Sequence, residues 1–126
     1  MITEDKLHKL IKYEEFDFRP IHGEFDIEMI QTQIMKLPGA WNDPKIKENF
    51  LIFGDDESKN NFVSQYNPTE KYSYPYVLII SLTSTSIYFN VFAGHDYIDY
   101  ALVLMKWIIK NYQCEVTDTF SKISDL

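Results

Sequence analysis

Two apolar runs in the second half of the chain limit its possible folds more than any other feature. Tyr76 to Leu82 is interrupted only by Ser81, the pattern of a strand buried on both faces. Beyond Thr83-Ser84-Thr85-Ser86, the residues Ile87, Phe89, Val91 and Ala93 alternate with Tyr88, Asn90 and Phe92. A turn this short cannot carry a parallel crossover, so the second strand must return antiparallel. Gly94 then leads into a helix of about five turns, at 3.6 residues per turn, from near Asp96 to Tyr112. Its polar stripe is narrow (Asp96, Asp99, Lys106, Lys110, Gln113), and Val103 interrupts it. The rest of that helix is apolar, which predicts near-complete burial across a sheet.

The first half supplies shorter elements. Residues 3 to 14 read as a helix capped by Thr3, with Leu7, Leu10 and Ile11 on one face. Phe16 and Phe18 alternate with Glu15, Asp17 and Arg19, a short strand ending at Pro20. Asp26 caps a second predicted helix carrying Ile27, Ile30, Ile34 and Leu37, and Pro38-Gly39 stops it. Phe50 to Phe53 reads as a strand closed by Gly54, and Asp55-Asp56-Glu57 opens a helix carrying Phe62, Val63 and Tyr66. Cys114 to Phe120 adds an edge strand, and residues 39 to 49 and 67 to 75 are long connections. The expected order is α-β-α-β-α-β-β-α-β. This is an α+β fold: one globular domain over 1–126, with helices packed on a central, mostly antiparallel sheet. At 126 residues, such a domain buries roughly two-thirds of its unfolded surface, enough for a core without metals or disulfides.

Charge narrows the partners. Nineteen acids against twelve bases give −7, and Arg19 is the only arginine. Phosphate recognition favours Arg forks, so the balance argues against nucleic acid and suits a basic protein partner. The same charge also serves simple solubility. Cys114 is the only cysteine, so no disulfide forms within the chain. The first residues lack the pattern of a secretory signal, and the longest apolar run, Tyr100 to Met105, is far below the roughly 20 residues of a membrane span. The expectation is a soluble, cytoplasmic protein with no membrane contact.

Catalytic constellations are sparse. The four glycines (Gly23, Gly39, Gly54, Gly94) are scattered and form no phosphate-binding loop, and no G-x-S-x-G or H-E-x-x-H occurs. One cysteine and three dispersed histidines do not make a structural zinc site. Three weaker candidates remain. His95-Asp96 with Asp99 resembles the His-Asp pair of metal phosphohydrolases, with His8 or His22 as further ligands, but the acids equally fit a helix start. Cys114 with His95 or His22 has the makings of a nucleophile and base, but a lone cysteine after an apolar helix fits packing. Asp55-Asp56-Glu57 offers carboxylates to a hard cation, without the alternating pattern of a calcium loop. The expectation is a protein that is not an enzyme and holds no cofactor or metal.

A surface signal is stronger. Between Tyr13 and Glu28 lie six acids (Glu14, Glu15, Asp17, Glu24, Asp26, Glu28) against Arg19, interleaved with Phe16, Phe18 and Phe25. A second group joins Asp55, Asp56 and Glu57 to Tyr66, Tyr72, Tyr74 and Tyr76, and Trp41 in the Pro38-to-Pro44 loop is a candidate anchor. Acids with Tyr and Trp suit a surface that binds a basic protein. A plainer account also fits, with Phe16 and Phe18 in the core, Tyr74 and Tyr76 beginning a strand, and the acids solvated.

Three stretches carry a family resemblance: Leu37-Pro38-Gly39-Ala40-Trp41, then Tyr74-Pro75-Tyr76-Val77-Leu78-Ile79-Ile80-Ser81, then the strand leading through Gly94 into the helix ending Lys106-Trp107-Ile108-Ile109-Lys110-Asn111-Tyr112. Over residues 26 to 116 the chain resembles small bacterial immunity proteins, the inhibitors encoded with polymorphic or contact-dependent toxins. The resemblance implies an acidic, cytoplasmic α+β protein that binds and occludes a toxin's C-terminal catalytic domain. It carries over no individual functional residue. From charge and residue type, the expected partner contacts are Glu14, Asp17, Trp41, Asp55, Asp56, Glu57, Tyr72 and Tyr74, facing a basic nuclease, with the protein a monomer or homodimer. The alternatives are a small metal-dependent hydrolase centred on His95 and Asp96, or an adaptor subunit of a larger assembly.

Overall fold

The computed structural model describes residues 1–69, 77–91 and 98–118. Among them an N-terminal 3-10 helix (Glu4–Lys12) is followed by β1 (Glu15–Pro20), α1 (Ile27–Ile34), β2 (Ala40–Asn42), β3 (Asn49–Ile52) and α2 (Asp56–Gln65). The chain then forms β4 (Leu78–Thr83), β5 (Ser86–Val91), α3 (Ile98–Asn111) and β6 (Cys114–Thr117). All strand pairs described are antiparallel, in the order β2-β3-β4-β5-β1-β6. The fold is the expected α+β domain.

Alternation along the strands divides the sheet into two chemically different faces. Phe16 lies opposite Phe89, Phe18 opposite Ile87 and Val116, and Phe50 opposite Ile80. These side chains face the 3-10 helix (Leu7, Leu10), α1 (Ile30, Ile34) and α3 (Ala101, Leu104, Met105, Ile108) in one buried core. Phe89 stacks on Phe16 with ring centroids 5.0 Å apart and meets Phe18 edge-on at 5.6 Å. Such pairs add about 0.5–1.5 kcal/mol beyond the area they bury.

The outer face carries a smaller cluster. Trp41, Leu51 and Ile79 form one row across β2, β3 and β4, and α2 packs Phe62 and Tyr66 against them. Ile79 under α2 explains why the β4 run reads as apolar on both faces. Asp55 caps α2, accepting the Ser58 backbone N–H at 2.7 Å and the Ser58 hydroxyl at 3.1 Å.

Three local features depart from the sequence reading. Residues 40–42 form a sixth strand inside what reads as a connection. The Asn42 side-chain amide donates to the carbonyls of Lys47 and Asn49, at 2.9 and 3.0 Å, and closes the loop between β2 and β3. The first helix is 3-10 rather than α, and Leu7 and Leu10, three residues apart, share one side of it at three residues per turn. Thr3 makes no cap. Its hydroxyl donates to Asp5, holding that carboxylate below its usual pKa.

Gly39 links α1 to the sheet in a conformation few other residues accept. Its φ is +67°, and a Cβ there would collide with the Asp55 carbonyl oxygen. Hydrogen bonds from Phe53 N–H to the Gly39 carbonyl and from Gly54 N–H to the Pro38 carbonyl, both 3.0 Å, bring the start of β2 against the entry to α2.

Candidate functional site

The strand register decides where the acids lie. Ala40, Ile52, Leu78 and Val91 stand opposite one another across β2 to β5, and Val91 N–H donates to the Glu14 carbonyl at 2.8 Å. Glu14 and the end of β3 therefore share one end of the sheet. They are three strand steps apart, about 14 Å at the usual inter-strand spacing. Asp55, Asp56 and Glu57 follow β3 at that end, and all four carboxylate side chains are exposed. The sequence left these two groups unrelated; the sheet brings both to one rim, Glu14 in register with the inner-face residues Leu78 and Ile52, and Asp55 to Glu57 at the start of α2 on the outer face.

Within that rim the carboxylates differ. Asp55 is committed to capping, and the hydrogen bonds from Ser58 lower its pKa, so its charge persists into mildly acidic solution. Asp56 lies 4.0 Å from the Lys59 ammonium, a pair too exposed to contribute much. Glu14, Asp56 and Glu57 extend the negative rim without tight constraint.

Asp17 has a different position from its sequence neighbours. It lies on the outer sheet face, yet only 6% of it is exposed. One carboxylate oxygen accepts the Ser86 hydroxyl and the other lies 2.7 Å from Arg19 Nε. Its charge is thus satisfied inside the sheet, and the exposed Arg19 guanidinium stands between it and solvent. Trp41 is half-buried, meeting Phe62 and Tyr66 edge-on at 5.2 and 5.0 Å. It anchors α2 while leaving part of the indole accessible. Tyr72, Tyr74, His95 and Asp96 lie outside the described residues.

Around Asp17 the register also gathers residues that the sequence reading did not select as contacts. Glu15 lies opposite Asn90, Asp17 opposite Tyr88 and Thr117, and Arg19 opposite Glu115, all on the outer face beyond α2. The Tyr88 hydroxyl donates to Glu15. Burial, with Glu15 and Asp17 nearby, pushes its pKa up to about 12. The signal was present in the alternation of 15, 17 and 19 with Phe16 and Phe18, but only pairing with β5 and β6 makes these positions one surface.

Among the described residues, the catalytic candidates His8, His22 and Cys114 are not brought together. His8 is exposed on the 3-10 helix and His22 is exposed in the connection from β1 to α1. Cys114 is fully buried on the inner face, and burial raises its pKa to about 11. A nucleophilic thiol needs the opposite shift. Among the described residues no three His, Cys, Asp or Glu side chains are grouped to hold a metal ion, and no helix is long and apolar enough to cross a membrane. Compared with protein-family models, curated proteins and solved structures, the chain matches none of them.

Proposed function

We propose that this chain is an immunity protein that neutralises a cognate bacterial toxin domain, a basic nuclease, by stoichiometric occlusion. The observation that carries the reading is the rim of exposed carboxylates, Glu14 with Asp55, Asp56 and Glu57, at one end of the sheet in a chain of net charge −7. Like charges gathered on one end repel each other and are relieved by a partner that brings lysine and arginine to them. Their long-range field accelerates encounter with such a partner. Trp41, half-buried against Phe62 and Tyr66 at the end of α2, supplies a rigid aromatic contact once the surfaces meet. Inhibition then follows from placing this rim over the cationic groove with which a nuclease holds its own polyanionic substrate.

The test has two steps. Affinity capture from the native source identifies the partner, and association rates are then measured against ionic strength for the wild type and for Glu14→Lys with Asp55→Ser, Asp56→Lys and Glu57→Lys. Serine at 55 retains a helix cap. The variant should associate at least about tenfold more slowly at low salt, with a flatter salt dependence. Unchanged rates and salt dependence would remove the steering mechanism. A captured partner with no toxic domain would remove the immunity reading itself.

A further inference from the structure

Val103 breaks the polar stripe of α3 and is 68% exposed. It lines a groove of about 290 Å3 with Leu104 and Trp107, facing Lys36, Leu37 and Pro38 beyond the end of α1. The two helices run antiparallel. The Asp26 N–H donates to the Tyr112 hydroxyl at 3.0 Å, so the start of α1 meets the end of α3, whereas the end of α1 meets its middle. Gln33 also lines the groove. Met29, one turn before Gln33 and two before Lys36, lies on the same side of α1 and is 48% exposed. Exposed Met29 and Val103 thus flank the groove, with Gln33 between Met29 and its wall and Lys36 at one end.

The charges along α1 say what covers it. Glu24, Asp26 and Glu28 are exposed at or before its start, and Lys36 is exposed just past its end. A second α1 laid antiparallel, centred between Thr32 and Gln33, sets Met29 against Lys36 and Glu28 against Leu37. Met29 of each copy then reaches the groove wall of the other, and each Glu28 carboxylate lies beside the opposing Lys36 ammonium. Every contact is made twice, as two-fold symmetry requires.

We infer that the α1–α3 face is a homodimer interface in which the groove receives Met29 of a second copy and Lys36 pairs with Glu28. The face is limited by the lengths of α1 and α3, about 12 and 21 Å at 1.5 Å per residue. That places it below about 1,200 Å2 of total buried area, at the small end of specific interfaces. The dimer therefore dissociates on dilution.

Sedimentation over a wide concentration range tests this with the full chain, using the wild type, Lys36→Glu, the Glu28→Lys/Lys36→Glu double variant and Val103→Glu. All the substituted side chains are exposed, so circular dichroism should show unchanged folds. The expected result is a concentration-dependent wild-type dimer, weakened about tenfold or more by Lys36→Glu and by Val103→Glu. The double variant should recover most of the loss, because it restores the opposite charges. A wild-type chain that stays monomeric at every concentration overturns the inference. So does self-association that Lys36→Glu leaves unchanged or that the double variant fails to rescue. A monomer whose affinity for a captured toxin falls with Val103→Glu assigns the groove to that partner instead.

Discussion

The two faces of the sheet come from the same strands, residue by alternate residue, yet different forces hold them. On the inner face Phe16, Phe18 and Phe89 meet as rings in a closed core beneath three helices, and among the described residues the buried members of that core are hydrophobic side chains. On the outer face, α2 covers only the row of Trp41, Leu51 and Ile79. Beyond it Asp17 is buried between Arg19 and the Ser86 hydroxyl, each of which meets one of its carboxylate oxygens, and Tyr88 is tied to Glu15. Burial on the inner face follows from hydrophobicity alone. On the outer face it depends on particular polar partners, so the side chains there are less interchangeable than their mean hydropathy suggests.

The largest expected effect comes from the inner face. Phe89→Ala removes the ring that bridges Phe16 and Phe18 and should cost about 3–5 kcal/mol in urea unfolding. That is a large share of the roughly 5–15 kcal/mol available to a domain. Asn90→Ala, one residue along on the outer face, should cost less than about 1 kcal/mol. Equal costs would break the distinction between the faces.

The outer face should respond most to loss of its buried acid. Asp17→Ala leaves the Ser86 hydroxyl without its acceptor and Arg19 without its counter-charge, at an expected cost of about 1–3 kcal/mol. Arg19→Ala should cost less, since Ser86 still donates to the carboxylate and removing the exposed guanidinium opens it to water. The reverse order would mean that the guanidinium, and not the buried carboxylate, organises this part of the face.

The smallest expected effect separates the faces by pH. Cys114 on the inner face is raised from 9.0 to about 11 by burial alone, and Tyr88 on the outer face from 10.0 to about 12 by burial and its carboxylate neighbours. In both cases the unfolded chain releases a proton that the folded chain keeps. Their stabilising contribution is therefore complete below pH 9.0 and falls as pH rises through the raised values. Urea midpoints across the alkaline range should decline in two overlapping stages. Cys114→Ala should remove the earlier stage and Tyr88→Phe the later one, while Glu15→Gln should shrink the later stage and end it at a lower pH. A decline that neither variant alters would place its origin in other groups.

The inner face was legible in the sequence because its signal is periodic. Phe16 with Phe18, Ile87 with Phe89, and the apolar stripe of α3 each declare a buried side without reference to any partner. The hairpin of β4 and β5 was equally local, since a two-residue turn at Ser84-Thr85 permits only an antiparallel return. Asp26 was legible as a cap because a cap acts within its own turn; Asp55 was legible only as an acid at a helix start, and the structure makes it the cap of α2. β2 was not legible, because three residues carry too little periodicity and its loop is closed by Asn42 reaching across to Lys47 and Asn49.

The sequence by itself determined the fold class, the buried faces of the main elements and the excess of negative charge, because these depend on residue type and on neighbours a few positions away. Tertiary structure alone decided which acids share an end of the sheet. Asp17 and Glu14 are three residues apart, yet β1 turns one into the sheet beside Arg19 and leaves the other on the rim. Glu14 and Asp55 are 41 positions apart, yet the order β3-β4-β5-β1 sets them on the same end. Strand order is a property of long-range pairing, where the free energy lies in contacts between distant segments, and no local pattern encodes it.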